Sequence, residues 1–258
     1  MNDLQQYFEE NTGYLIDKWM HYFAIYDRHF ARFRDTDVHV LEIGVSHGGS
    51  LQMWKSYFGQ RARIFGVDIN PDCAKLGGDQ ARIFIGDQDD KAFLRRLTRE
   101  IPRIDILIDD GGHTMEQQIN TFDVIYPHLT SDGIYLCEDL HTSYRRAYGG
   151  GCRRPGTFIE YSKELIDYLH AWHYEKTIRQ DAAEFSRSTY ALHYYDSILV
   201  VEKRNVEKPH HRKSGERTLP STPISPPPLL KRARRKLRRF LAPLLASVGV
   251  RSSPTWDR

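Results

Sequence analysis

The chain has 258 residues, enough for one large α/β domain with an appended segment. Its net charge of +3 averages two unlike parts, because residues 203–258 hold 15 Lys and Arg against three Asp and Glu, and the rest is net acidic. An acidic body argues against general nucleic-acid binding, which needs basic surface. The three cysteines fit neither a disulfide framework nor a zinc motif.

The N-terminal segment, residues 1–34, has aromatic and apolar side chains at spacings of three and four. This spacing predicts an amphipathic helix that packs on the domain. An alternative makes part of the segment a lid over a ligand, with Lys18, His21 or Tyr22 pointing inward. The segment lacks the features of a signal peptide, and we expect a cytoplasmic protein.

From residue 35 to residue 203, apolar runs of strand length alternate with helical patterns. Strands are predicted over 38–43, 64–68, 81–85, 104–108 and 133–137, with helices over 48–58, 91–100, 115–128 and 158–173. This alternation predicts a Rossmann-like α/β fold, with a mostly parallel sheet and helices on both faces. Two adjacent runs, 190–195 and 197–203, predict a closing antiparallel hairpin.

Two predicted strands end in acidic side chains. The run Ile104–Ile108 is followed by Asp109-Asp-Gly-Gly-His113, and a later run ends in Glu138-Asp-Leu-His141. Carboxyl ends of parallel strands meet at one sheet edge, where α/β proteins bind ligands. Several carboxylates held together are the ligands that a hard cation such as Mg²⁺ prefers.

A glycine-rich turn, Gly44-Val-Ser-His-Gly-Gly49, lies between the first strand and its helix. Glycines there let the backbone approach a ligand at a helix N-terminus. Asp68 ends the second strand, where an acid suits a ribose diol, and Asp87-Gln88 follow the third, where an adenine edge can be read. The candidates are NAD and S-adenosylmethionine. The G-x-x-x-G-G spacing and the terminal hairpin favour S-adenosylmethionine.

Residues 14–203 resemble a class I S-adenosylmethionine-dependent methyltransferase. The closer resemblance is to the metal-dependent sugar O-methyltransferases of macrolide biosynthesis, which modify mycinamicin and demethylmacrocin and are related to the cephalosporin hydroxylase-like family. The motifs that carry it are Glu42-Ile-Gly-Val-Ser-His-Gly-Gly-Ser50, Gly66-Val-Asp-Ile69, Ile108-Asp-Asp-Gly-Gly-His113 and Glu138-Asp-Leu-His-Thr-Ser-Tyr144.

The resemblance implies roles for individual residues. The cofactor S-adenosylmethionine is expected to contact Glu42, Gly44, Ser46, Ser50, Asp68, Asp87 and Gln88. Mg²⁺ is expected on Asp110, Glu138 and Asp139, with Asp109 near the methionine amine of the cofactor. His113 is the expected general base, and His141 is a second candidate for that role.

The segment after residue 141 combines aromatic side chains with glycines, which suits closure over a sugar. We expect the acceptor to contact Thr142, Tyr144 and Tyr148. The predicted function is Mg²⁺-dependent transfer of a methyl group to a sugar hydroxyl of a glycan, glycolipid or glycosylated natural product. The alternatives are a cephalosporin hydroxylase-like oxidoreductase and a non-catalytic, membrane-recruited scaffold that binds S-adenosylmethionine.

The C-terminal part of the chain differs in composition from the domain. Residues 204–228 are polar and rich in Pro and Ser, which predicts a disordered linker. Residues 229–250 predict a basic amphipathic helix that contacts the inner face of a membrane peripherally, and residues 251–258 a disordered end. The expected partners are a small-molecule or saccharide acceptor and a second copy of the chain in a homo-oligomer, with no nucleic acid.

Overall fold

The structure is a computed structural model that describes residues 1–78, 81–175 and 179–219. Its strands are β1 (His39–Ile43), β2 (Arg63–Asp68), β3 (Ala81–Ile85), β4 (Ile104–Asp109), β5 (Leu129–Cys137), β6 (Thr189–Tyr195) and β7 (Ile198–Lys203). They form a seven-stranded sheet in the order β3-β2-β1-β4-β5-β7-β6. Strands β1 to β5 pair in parallel, and β7 is antiparallel to both neighbours. The predicted α/β fold with its terminal hairpin is confirmed.

Helices cover both faces of the sheet. They are α1 (Asp3–Glu9), α2 (Tyr22–Phe30), α3 (Gly49–Phe58), α4 (Lys91–Glu100), α5 (Met115–Ile125), α6 (Phe158–Leu169) and α7 (Gln180–Ser188). Successive strand residues point to opposite faces. Val40 accordingly belongs to a core that includes side chains of α1, α2 and α3, whereas Leu41 belongs to a core that includes side chains of the other four helices. Two hydrophobic cores therefore enclose the sheet and hold its strand ends in place.

Local capping explains why several helices begin where the sequence predicted. Asp90 accepts a hydrogen bond from the backbone of Ala92 at the start of α4. Thr114 and Gln117 form a reciprocal capping box at the start of α5. Helix α7 was not among the predicted elements. Its buried side chains, such as Ala182 and Phe185, are three residues apart, a spacing that would have revealed it.

The predicted N-terminal amphipathic helix is present only in two parts. The chain forms α1, then a non-helical segment over residues 10–21, and then α2. The side chain of Asn11 bonds to the backbone of Gly13 and Tyr14, which competes with helical hydrogen bonding. The backbone of Tyr14 and Leu15 crosses so close to Gly49 that a β-carbon there would overlap it. Residues 10–21 therefore cover the start of α3.

The compact unit that contains the sheet comprises residues 1–209. Residues 204–219 contain no helix or strand. The predicted amphipathic helix over 229–250 and the predicted end over 251–258 lie outside the described residues, so both stay predictions. No described helix combines the length and the apolar character needed to cross a bilayer.

Candidate active site

The carboxyl ends of the parallel strands form a crevice where the strand order reverses. Strand β1 has β2 on one side and β4 on the other, so the loops after β1 and β4 leave the sheet together. Such a reversal is the ordinary ligand-binding position of an open α/β sheet. The backbone of Asp110 donates a hydrogen bond of 2.9 Å to Ile43, which ties the two loops to each other.

Gly44 allows these two loops to approach. Its φ of 98° lies in the left-handed region, and a β-carbon at this position would overlap the carbonyl of Asp110. Only glycine satisfies both conditions. The position therefore explains the first glycine of the motif that sequence analysis singled out.

A cavity of about 270 Å³ opens between these loops. Six predicted cofactor or metal residues line it: Gly44, Ser46, Asp68, Asp87 and Gln88, which were predicted for the cofactor, and Asp110, which was predicted for the metal. One oxygen of Asp68 accepts hydrogen bonds from Val45 and Ser46, and the other accepts one from Asn70. The second oxygen keeps a lone pair for a ligand hydroxyl.

Gln88 reaches the cavity from a buried network. Its amide nitrogen donates to Asp109 at 2.6 Å and to Thr121 at 2.9 Å, and its oxygen accepts from Gly112 at 3.1 Å. Both donors are used, so Gln88 can offer a ligand only an acceptor. Tyr135 also donates to Asp109, and burial raises the pKa of Asp109 to about 7.

Three predicted cofactor residues lie behind the cavity and do not line it. Glu42 is fully buried and accepts hydrogen bonds from Ser50 at 2.7 Å and from Trp54 at 3.0 Å. Asp109 is also buried, with its two oxygens bonded to Gln88 and Tyr135. The contacts of Glu42, Ser50 and Asp109 support the loops that shape the cavity, and contact with a cofactor stays a prediction.

Next to the cavity, side chains that follow β4 and β5 converge. One ligand atom from each of Asp110, His113 and Asp139 lies within 4.8 Å of the other two. His113 Nε2 is 3.6 Å from Asp139 and 3.8 Å from Asp110. Both His113 and Asp139 have positive φ, 56° and 55°, a backbone strain that is common at functional sites. The two strand ends therefore meet as predicted.

The cluster includes Lys18, which comes from the non-helical N-terminal segment. Its ammonium hydrogen-bonds to Asp110 and lies 3.0 and 2.9 Å from the two carboxylate oxygens of Glu138. Glu42 Oε1 is 3.9 Å away. Burial alone would lower the pKa of Lys18, but the surrounding carboxylates outweigh burial and raise this pKa. Lys18 is therefore a buried cation, and its side chain points inward, as the lid alternative expected.

Two tyrosines of α2 donate hydrogen bonds to the acidic pair that ends β5. Tyr26 donates to Glu138 at 2.7 Å, and Tyr22 donates to Asp139 at 2.8 Å. The two carboxylates are thereby turned apart, because Glu138 faces Lys18 and Asp139 faces His113. Sequence analysis named Tyr22 as an inward-pointing candidate but missed Tyr26. Tyr26 lies four residues after Tyr22, on the same face of the helix, and this spacing could have revealed that it also points inward.

The predicted acceptor residues lie on the turns after β5. Thr142 is buried and donates its hydroxyl to the carbonyl of Asp139, so it shapes the turn. Tyr144 is 54% exposed, and Tyr148 is half-buried against the core. His141 Nδ1 lies 3.9 Å from Asp139, and its ring packs edge-on against the exposed Trp19. Of the three predicted acceptor residues, Tyr144 therefore has the most exposed side chain.

Comparison with known proteins identifies the domain that carries this crevice. Residues 41–140 match a family model described as a methyltransferase domain. This is a methyltransferase domain of the class I fold. The MycE methyltransferase from the mycinamycin biosynthetic pathway, solved with Mg and SAH, superposes with a TM-score of 0.70 at 33% identity. The match covers 79% of this chain and 55% of that protein.

Curated relatives of the methyltransferase domain act on sugars. A tetracenomycin rhamnosyl 3'-O-methyltransferase from Streptomyces olivaceus is 43% identical over 74% of this chain and 52% of its own length. The mycinamicin VI 2''-O-methyltransferase from Micromonospora griseorubida is 36% identical over 78% of this chain and 52% of its own length. The chain therefore spans about half the length of the curated relatives it matches.

Proposed function

We propose that the chain is an S-adenosylmethionine- and Mg²⁺-dependent O-methyltransferase that acts on a sugar hydroxyl of a glycan, glycolipid or glycosylated natural product. The observation that carries the proposal is the convergence of Asp110, His113 and Asp139 beside the cavity at the ends of β1 and β2. The similarity to sugar O-methyltransferases supports the class of acceptor.

The cavity fits the nucleoside part of S-adenosylmethionine, which would supply the methyl group. Asp68 keeps a free acceptor for a ribose hydroxyl, since three of its four lone-pair positions are used by the backbone. Gln88 keeps only an acceptor, which suits the exocyclic amine of adenine. Gly44 exposes backbone at the point where the two loops meet.

The acidic cluster fits a divalent ion by its donor chemistry. Mg²⁺ prefers carboxylate oxygens, which Asp110 and Asp139 supply within the cluster, whereas the predicted ligand Glu138 faces Lys18 and would have to turn to reach the same ion. When bound there, Mg²⁺ would act as a Lewis acid that lowers the pKa of the acceptor hydroxyl. The ammonium of Lys18 donates hydrogen bonds to carboxylate oxygens of Asp110 and Glu138. A divalent ion would need the same oxygens, so Lys18 and the ion compete for them.

His113 would accept the proton of the acceptor hydroxyl. Its Nε2 faces the carboxylates of Asp110 and Asp139, where the hydroxyl must lie, and we assign the transferred proton to this atom. The resulting imidazolium would lie opposite two negative charges. A positioned base of this kind contributes about 10²–10⁴-fold to the rate.

A direct test measures S-adenosylmethionine binding by calorimetry and methyl transfer from a radiolabelled donor to a panel of glycosides, with and without Mg²⁺. Asp110→Asn is expected to abolish transfer. The matched control Asp132→Asn changes an exposed aspartate of β5 and is expected to keep full activity. Transfer that persists in Asp110→Asn, or that needs no metal, would contradict the proposed site.

The same measurements separate the alternatives. Cofactor binding without methyl transfer to any saccharide would favour the scaffold. An iron-dependent oxidoreductase needs two histidines and one carboxylate. The described crevice cluster instead combines one histidine with two carboxylates, which favours the methyltransferase.

A further inference from the structure

A second group of metal-ligating side chains lies outside the crevice, between α2 and the terminal hairpin. It consists of His29 on α2, His193 on β6 and Glu202 on β7. One ligand atom from each residue lies within 4.8 Å of the other two. From these residues we propose a structural Zn²⁺ site that fastens α2 to the β6–β7 hairpin.

The distances within the group suit a tetrahedral ion. His29 Nδ1 is 2.9 Å from Glu202 Oε1, and His193 Nε2 is 3.3 Å from the same oxygen. Bonds of about 2.0–2.1 Å in a tetrahedron place neighbouring ligand atoms roughly 3.3 Å apart. Small side-chain movements would thus bring all three ligand atoms onto one ion. Two imidazoles with one carboxylate are a known Zn²⁺ ligand set in which water takes the fourth position. The same set also binds iron in the oxidoreductases considered above, and it does not suit Mg²⁺.

One nitrogen of the group is buried without a hydrogen-bond partner among the described residues. His193 Nε2 is buried and makes no hydrogen bond to any described residue, because its contact with Glu202 lacks hydrogen-bond geometry. A buried nitrogen without a partner costs free energy that a metal bond would offset. The His193 side chain is nevertheless 31% exposed, which gives an ion a path from solvent.

A neighbouring tyrosine would orient the first ligand. The hydroxyl of Tyr195 is 2.9 Å from His29 Nε2, the ring nitrogen opposite the proposed ligand atom. If Nε2 carries the proton and donates it to Tyr195, then Nδ1 presents its lone pair to the ion. A metal-bound histidine is ordinarily held by such a hydrogen bond from its other nitrogen.

The position of the group links it to the crevice. His29 lies on the same helix as Tyr26 and Tyr22, three and seven residues further along. Seven residues correspond to about 10 Å along a helix axis. Fastening α2 at His29 therefore fixes the hydroxyls that hold Glu138 and Asp139. This inference is independent of the proposed reaction, since it concerns how α2 is held.

The experiment uses the full chain after removal of metals with a chelator. Zn²⁺ is titrated in the presence of excess Mg²⁺, which occupies oxygen sites, and binding is followed by calorimetry and thermal unfolding. One equivalent of Zn²⁺ is expected to bind and to raise Tm by about 5 °C. X-ray absorption at the zinc edge is expected to show two imidazole nitrogens per ion.

Variants assign the site. His193→Gln and Glu202→Gln change partly exposed side chains, and each is expected to weaken Zn²⁺ binding by at least about a hundredfold. Three controls are expected to keep wild-type Zn²⁺ affinity: His128→Gln on the surface, His113→Gln in the crevice, and the double substitution of His210 and His211 by Gln. Circular dichroism verifies that each variant is folded.

Two results would overturn the proposal. One is wild-type protein that binds no Zn²⁺, or whose absorption spectrum shows no imidazole coordination. The other is His193→Gln and Glu202→Gln binding Zn²⁺ as tightly as wild type, with the loss appearing in His113→Gln instead. Methyl-transfer activity enters neither readout, so failure here is distinguishable from failure of the proposed function.

Discussion

The ammonium of Lys18 lies 2.9 Å from a carboxylate oxygen of Glu138, although 120 positions separate the two residues in the chain. Both side chains are almost fully buried, 3% and 1% exposed. Breaking a buried ion pair leaves an uncompensated charge, which is costly. The contact therefore fastens the N-terminal segment over the crevice and ties its stability to the charge state of the cluster.

Lys18→Met is predicted to destabilise the metal-free protein by about 3–5 kcal/mol, because Glu138 and Asp110 lose their cation. Mg²⁺ should recover more stability in this variant than in wild type, since the competing ammonium is gone. Urea unfolding with chelator and then with Mg²⁺ measures both effects. The control Lys163→Met breaks an exposed Lys–Glu contact and should cost at most about 1 kcal/mol. Equal losses in the two variants would disprove the role of Lys18.

His113→Gln is predicted to lower kcat by about 10²–10⁴-fold while the affinity for Mg²⁺ stays unchanged. The reason is that Mg²⁺ prefers oxygen ligands, so the imidazole acts as a base and not as a ligand. Steady-state kinetics and Mg²⁺ calorimetry separate these roles. His141→Gln removes the second candidate, whose nitrogen is 3.9 Å from Asp139, and should reduce kcat much less. Loss of Mg²⁺ binding in His113→Gln would mean that this histidine is a ligand.

Gly44→Ala is predicted to cost both stability and cofactor affinity. A β-carbon at Gly44 would overlap the carbonyl of Asp110, so the loops after β1 and β4 must separate. Gly156→Ala is the matched control. Gly156 has a similar positive φ of 84°, and a β-carbon added there would meet no described atom within 4 Å, so this variant reports the backbone penalty alone, about 1 kcal/mol. Thermal unfolding and calorimetry should show a clearly larger loss for Gly44→Ala.

Asp109→Asn is predicted to flatten the pH dependence of stability. Burial raises the pKa of Asp109 to about 7 from an ordinary value of 3.8, so the folded state binds this proton more tightly than the unfolded state. The associated stability is full below pH 3.8 and is lost as pH rises toward 7. Urea unfolding should show that the free energy of unfolding falls between pH 5 and pH 8, and that this fall is smaller in the variant by on the order of 1–3 kcal/mol. If the free energy of unfolding falls equally in wild type and variant, Asp109 is not the source of the pH dependence.

The regular elements of the domain could be predicted because each has a local signal. Strand β3 and helix α4 have the predicted bounds, since the apolar run Ile83-Phe-Ile85 and the cap at Asp90 act within a few residues. The non-helical segment over residues 10–21 could not be predicted in this way. The four-residue spacing of Leu15 and Trp19 resembled a helical face, yet both side chains are more than half exposed in the fold. Distant partners decide its conformation, because Lys18 binds carboxylates from β4 and β5.

Sequence alone was enough to identify the family resemblance and to expect that Asp110, Glu138 and Asp139 would lie at one edge of the sheet with His113. Parallel strands necessarily bring their carboxyl ends to one edge of a sheet. The tertiary structure decided what each side chain does at that edge. In the fold, Glu42 accepts a hydrogen bond from Ser50, Asp109 accepts one from Gln88, and His29 lies beside His193 and Glu202. These pairings depend on how helices pack across the sheet, and side-chain packing over such sequence distances leaves no local pattern from which to predict them.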